Sequence, residues 1–385
     1  MRFSKRVFHL NLRLAAICLV ASGALYAQGA DEIRWSGFWS MGVAGTDSEE
    51  SFNGLNRKPS LFRNSLAGLN GSVLMSENWT ATLQLLAKGE TDNFRPDLDW
   101  ALLTWQPTSR YTMRLGKQKV PAWLVSDHLD VGILLPWIKP PVEVYSLNPV
   151  SSFMGMGHTY TWELSEKWSL QVELMAGSAN QKLDSIVSGS EADLSVTDAW
   201  GGNIALNFLG SGTLRVSKFV AHIEGTLATI VDTPCTAACG PVPPGTSTRS
   251  TLISDISSEH SYFNGIGLKW DDRRHLLMSE YAVQDNEGSS LYDKQAAYYV
   301  TLGHYFGQES QYLVHLTQSA TTKNEGLAAT GKQSALMLGF NYWMTDSMAA
   351  KVEWGQTEAT EGKGQFDSDP GRKVNIMGLS LSAAF

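Results

Sequence analysis

The 385-residue chain carries 30 Lys and Arg against 38 Asp and Glu, a formal net charge of −8 that makes it a poor partner for nucleic acid. A length like this would ordinarily suggest two soluble domains, yet no shift in composition marks a boundary.

The chain opens on a basic stretch, Arg2, Lys5, Arg6 and Arg13, followed by an apolar run from Leu14 to Leu25 and small residues in "LYAQGA". That order predicts a secretory signal peptide over residues 1–27, cut after Ala27 or Gly29. The run is shorter than the roughly 20 residues a bilayer-spanning helix needs, and no longer apolar run follows it. Ile17 precedes Cys18 where a lipoprotein signal needs a small residue. Removing residues 1–27 takes away four basic groups and no acidic ones, so the exported chain has a formal charge of −12.

From residue 33 onward the pattern alternates with period two, which is strand periodicity. Ile33, Trp35, Trp39, Met41 and Val43 oppose Arg34, Ser36, Ser40 and Gly42. "WTATLQLLAKGE" sets Ala81, Leu83, Leu85 and Ala87 on one face, and "SLQVELMAG" does the same with Leu170, Val172, Leu174 and Ala176. "MAAKVEWG" continues it with Met348, Ala350, Val352 and Trp354 against Lys351 and Glu353. Each run is about ten residues or slightly more, enough to cross a membrane when tilted.

The connections alternate in length. Tight turns fall at "MSENW", "QPTSR", "LSEKW", "LGSG", "WDDRR", "FGQES" and "WMTDS". Longer polar connections are expected near residues 46–60, 90–96, 121–150, 179–196, 225–255, 285–293, 320–331 and 359–371. Seven turns and eight loops join sixteen strands. Trp79, Trp105, Trp162, Trp168, Trp270, Phe306 and Trp343 lie beside the short turns, as one interfacial girdle requires. The prediction is an all-β fold, a transmembrane antiparallel up-and-down barrel of about sixteen strands over residues 28–385. A soluble β-sandwich would not need so many long strands with one polar face each.

A barrel of that width leaves an aqueous channel, so lumen-facing residues should be polar. Arg34, Lys88, Arg114, Arg215, Lys269 and Lys351 are the basic candidates, with Asp99, Glu173, Glu280 and Glu353 the acidic ones. Around Lys218 in "RVSKFVAHIEG" the alternation slips, and a bulge is expected there.

The third long connection, residues 121–150, is apolar in large part and carries Pro136, Pro140, Pro141 and Pro149, each of which fixes its own backbone angle. A loop this long is usually functional. Here "MRLGKQKVPAW", "SDHLDVG" and "PWIKPPVEVY" resemble the fifth-strand and third-loop region of the Gram-negative porin superfamily, nearest to phosphate-selective-type and related porins. The resemblance implies a third loop folded into the barrel, with charges facing others on the wall. It would place Asp127, Asp130, Lys139 and Glu143 on the loop and Arg114, Lys117 and Lys119 at its root as the pore constriction. The chain departs from the phosphate-selective pattern in having no dense run of Lys and Arg.

Cys235 and Cys239 in "TPCTAACGP" are a candidate disulfide in an oxidising compartment; with no His beside them they are too few ligands for a closed zinc site. The external acids Asp47, Glu49, Glu50, Glu358, Glu361, Asp367 and Asp369 could meet the divalent cations of lipopolysaccharide. The C-terminal "GLSLSAAF" alternates to a final Phe385, which resembles the terminal signature of outer-membrane barrels.

The function expected is an outer-membrane porin passing small hydrophilic solutes or ions, without cofactor. Sixteen-stranded porins are usually trimers, and the outward Gly37, Trp39, Ala67, Leu69 and Gly71 suit subunit packing in a homotrimer. An adhesin or binding protein is the alternative, with residues 225–255 as its longest external segment. An embedded hydrolase is the other, although neither "GxSxG" nor "HExxH" occurs.

Overall fold

The computed structural model describes residues 33–61, 63–89, 94–148, 150–184, 190–234, 247–287, 289, 293–326 and 330–385. The residues of the expected signal peptide, together with Pro149, Cys235 and Cys239, lie outside this set. The strands are β1 (Arg34–Thr46), β2 (Leu66–Ser76), β3 (Trp79–Gly89), β4 (Phe94–Thr108), β5 (Tyr111–Lys119), β6 (Ser152–Ser165), β7 (Trp168–Asp184) and β8 (Ser190–Phe208). They continue with β9 (Gly212–Pro234), β10 (Ser247–Asp271), β11 (His275–Glu287), β12 (Lys294–Phe306), β13 (Tyr312–Asn324), β14 (Gly331–Thr345), β15 (Met348–Gly362) and β16 (Val374–Ala384). Each pairs antiparallel with its chain neighbours, and β16 returns to β1, closing the barrel.

Closure is completed at the last residue. Phe385 and Gly37 exchange two backbone hydrogen bonds of 2.9 Å, so the terminal aromatic extends the β1–β16 ladder. A sheet without edges leaves no row of unpaired amides, the condition for standing in hydrocarbon.

Two faces follow from the alternation. Leu83, Leu174, Ile204, Leu302, Leu338 and Trp354 are among the apolar side chains exposed on the outer wall. Aromatic rings collect at the short-turn end: Trp79 stacks on Trp105 at 5.9 Å, Trp168 meets Phe208 at 5.7 Å, and Phe306 stacks on Tyr312 at 5.3 Å. Trp343 is not part of this outer ring. It shares the inward parity of Asn341 and packs with Tyr305 under the Arg273 guanidinium on the lumen side of the short-turn end.

Two expectations about the strands change. Residues 179–196 and 225–255 are not mainly loop, because the β7–β8 ladder runs to Asp184 and the β9–β10 ladder to Pro234. Their Ser, Thr, Val and Ile content reads as polar connection, yet the β-branched members favour a pleated strand. The irregularity expected at Lys218 lies on the flanking strands. Register shifts fall between Thr197 and Trp200 on β8, where Asp198 has φ of 49°, and between Ser258 and Ser261 on β10. β9 itself keeps its alternation, with Arg215, Ser217 and Phe219 turned in and Leu214, Val216 and Lys218 turned out.

Candidate functional site: the infolded loop and the lumen wall

The connection between β5 and β6 enters the barrel. It makes 3-10 turns at Ser126–His128 and Gly132–Leu134 and a short helix α1 (Val142–Tyr145), all with carbonyls that the wall must satisfy. Most of its apolar residues, though not Leu134, are buried against inward-facing wall residues: Trp123 meets Phe263 edge-on at 4.8 Å, and Trp137 meets Tyr299 at 5.2 Å. Burying side chains of this size contributes about 1.5–3 kcal/mol each. That explains why a loop so rich in Trp, Leu and Ile is not exposed to water.

Polar anchors then fix it strand by strand. Lys351 on β15 donates to the carbonyls of Gly132 (2.6 Å), Leu135 (2.6 Å) and Trp137 (2.8 Å). Glu353 accepts the Ile138 amide at 3.0 Å, and Asn341 on β14 donates to Pro136 O at 2.8 Å. The Trp137 indole donates to Thr301 and Thr317, each at 3.0 Å. On β11, Glu280 accepts the Leu124 amide (2.7 Å), the Tyr145 hydroxyl (2.5 Å) and the Tyr299 hydroxyl (2.9 Å). Arg215 on β9 donates to Trp123 O, and Asn203 on β8 to Pro121 O at 3.2 Å. Close approach requires small residues. A Cβ on Gly132 would stand 2.3 Å from Ser40 Oγ, and one on Gly267 would stand 2.7 Å from Leu124 Cγ.

The expected constriction residues divide into three groups. Asp130, Lys119 and Glu143 are buried fasteners rather than pore charges. Asp130 bridges Lys88 and Lys119, both at 2.8 Å, and Lys119 also holds Asp99 at 2.7 Å. Burial alone would raise the Asp130 carboxyl, but Lys88 and Lys119 outweigh it and hold the group well below the usual carboxylate range. Glu143 accepts a 2.7 Å hydrogen bond from Gln333.

Lys117 does not face the lumen. It stands opposite Ala101 and the exposed Met154 in the outward register and pairs with Asp97 at 3.3 Å. Lying three residues after the inward Arg114, it falls on the opposite face by simple alternation.

Arg114, Asp127 and Lys139 remain open to the lumen. Lys139 lines a vestibule space of about 230 Å³ with Arg63 and Phe52. Enclosure by the barrel, then the charges of Arg63 and Lys88, push its ammonium below the usual lysine range. Arg114 and Asp127 flank a second space of about 380 Å³ between the loop and the β3–β5 wall. Besides Arg114, the one cation on that wall is Lys119, already paired with Asp99 and Asp130; Thr82, Trp100, Leu102, Thr104 and Gln106 are its neutral members. Asp127 has no ion pair or hydrogen bond among the described residues, and Arg114 only approaches Glu173 at 4.0 Å.

The ten inward charges expected from periodicity all face the lumen; what the sequence did not reveal is that several of them bind the loop backbone. A buried Lys two residues from a buried Glu on one inward face, as in "AKVEW", is the only local hint. Several of the external acids are matched within the chain: Asp47 by the Arg372 guanidinium (3.2 Å) and the Asn375 amide (2.7 Å), Glu49 by Arg57 (2.8 Å), and Glu361 by Lys332 (2.8 Å). Hydrogen bonds from Asn375 accordingly lower the Asp47 carboxyl, with Arg372 adding to the effect.

A closed sixteen-stranded barrel with an apolar outer wall, a charged interior and its third long loop folded inward is the porin architecture. The comparisons with solved structures agree. The chain is similar to the outer-membrane channel DcaP of Acinetobacter baumannii, with 12% identity, 94% of this chain and 100% of that one covered, and a TM-score of 0.57. It is similar to OmpF of Salmonella typhi, solved with daunomycin, with 13% identity, 92% and 98% covered, and a TM-score of 0.56. The anion-selective porin from Comamonas acidovorans matches with 12% identity, 92% and 100% covered, and a TM-score of 0.52. At these identities the likeness is one of fold. No family model matches the chain, and no curated protein sequence matches it.

Proposed function

We propose that the chain forms a water-filled channel in the outer membrane of a Gram-negative bacterium, through which small hydrophilic solutes or ions diffuse passively. The observation that carries this reading is the space the loop leaves open. Its apolar side is anchored along β8–β15, whereas toward β3–β5 it is held through Asp130, and water-accessible space remains beside that clamp between Asp127 and Arg114. Sixteen-stranded barrels are too wide for wall side chains to fill. The phosphate-selective type gains no support from the gap, where Arg114 and the already committed Lys119 are the cations.

Single-channel recording in planar bilayers tests the proposal: discrete ohmic current steps in KCl are expected, and a folded protein that inserts without conducting would overturn it. A binding role is the second reading, favoured by the rise of β10 past β11, since β10 begins at Ser247 while its pairing with β11 begins at His260. The same recording separates the two.

A further inference from the structure

The charges in this lumen are, with few exceptions, used up. Asp130 and Asp99 share Lys119 and Lys88, Glu280 holds two hydroxyls and an amide, Lys351 holds three carbonyls, and Glu143 holds Gln333. Against that background Asp127 and Arg114 stand out, because they carry opposite charges, face the same space, and have almost no protein partner. A single ion in that space is attracted by one group and repelled by the other. A solute carrying both charges is attracted at both ends, in a confined site where water screens less than in bulk.

The wall between the two charges adds a third feature. Trp100 and Leu102 of β4 offer an aromatic and an aliphatic surface, flanked by the hydroxyls of Thr82, Thr104 and Thr112. The Trp100 indole N–H has no partner among the described residues. The volume, about 380 Å³, lies at the lower end of ligand-sized cavities and accommodates a solute the size of an amino acid.

We infer that this space is a subsite for a small zwitterion, a free α-amino acid with an apolar side chain. Its carboxylate lies on the Arg114 guanidinium, its ammonium on the Asp127 carboxylate, and its side chain on Trp100 and Leu102. Arg suits the carboxylate end because its planar fork can engage both oxygens. The inference rests on the channel reading and names the solute class for which that channel is shaped. It requires no covalent step.

The test uses the full mature protein in planar bilayers and measures how far added solute lowers the KCl current. Leucine is compared with leucinamide, which lacks the carboxylate, with N-acetylleucine, which lacks the ammonium, and with neutral N-acetylleucinamide. Leucine is expected to act at a concentration at least about tenfold below the other three, the effect of one lost charge-assisted contact of about 1.4 kcal/mol. In Arg114→Gln the preference for leucine over leucinamide is expected to vanish, and in Asp127→Asn the preference over N-acetylleucine. Arg114→Lys keeps the charge without the fork and is expected to retain part of the preference, which separates loss of the contact from loss of the fold. Equal action of leucine and N-acetylleucinamide on a conducting channel would overturn the subsite and leave the channel standing, as would preferences unchanged in both neutral variants. Absence of KCl current would instead overturn the channel, and the subsite with it.

Discussion

Lys351 is the residue on which the closed position of the loop most depends. Its ammonium is buried, and it donates to three loop carbonyls between 2.6 and 2.8 Å. In Lys351→Met the aliphatic volume is kept, but the carbonyls of Gly132, Leu135 and Trp137 lose their donor. Removing one side of a buried charged set costs about 3–5 kcal/mol, most of it the penalty of polar groups left unpaired. About 4 kcal/mol changes the ratio of released to closed loop by roughly a thousandfold. The Glu353, Asn341 and Trp137 anchors remain, so the segment 132–138 should loosen without leaving the lumen altogether. Single-channel recording should show larger mean conductance and added open-channel noise. Thermal unfolding in detergent should move little, because residue 351 keeps its backbone pairing with Asn341 and Ser380. Lys332→Met, which breaks an exposed pair with Glu361 worth at most about 1 kcal/mol, serves as the control and should leave the current unchanged. If folded Lys351→Met conducts with wild-type amplitude and noise, the three hydrogen bonds do not hold the loop and the assignment is wrong.

Asp127→Asn should shift the reversal potential in a KCl gradient toward anions, whereas Asp130→Asn should chiefly lower refolding yield, because it removes the shared partner of Lys88 and Lys119. Equal yields for the two variants would contradict the division into pore charge and fastener. The outward small and aromatic residues Gly37, Trp39, Ala67, Leu69 and Gly71 lead us to expect a homotrimer, and a monomeric mass in mild detergent would refute it. Cys235 and Cys239 are close enough in sequence to bring their α-carbons within the roughly 4.4–6.8 Å of a disulfide, and such a short loop should add little to barrel stability. Alkylation of both thiols without prior reduction would rule the bridge out.

Period-two alternation exposed most of the fold, because in a barrel each strand has one apolar and one polar face and no other element interrupts it. Leu83, Leu174 and Val352 proclaim the outer wall, and Glu173, Glu280 and Lys351 the inner one. Alternation does not say where the apolar band ends, and so Thr226–Pro234 and Ser247–Asp255 read as loop although their backbones pair. Nor does it say which inward charges meet water. Asp127 and Asp130 are three residues apart in one segment, yet one is exposed and the other is clamped between two lysines. That difference is set by Lys88 and Lys119 arriving from β3 and β5, which only the closed barrel brings together.

The same pairing bears on ion preference. Once Asp130, Asp99, Glu280 and Glu143 are each held at hydrogen-bond distance by a cation or a donor, much of their field is cancelled locally. At physiological ionic strength the remainder falls off over about 8 Å. A solute in the gap therefore feels mainly Arg114 and Asp127, one charge of each sign. Net selectivity between small cations and anions should then be weak even though the lumen wall is densely charged, and it should respond to changes at those two positions far more than to changes in the chain's net charge.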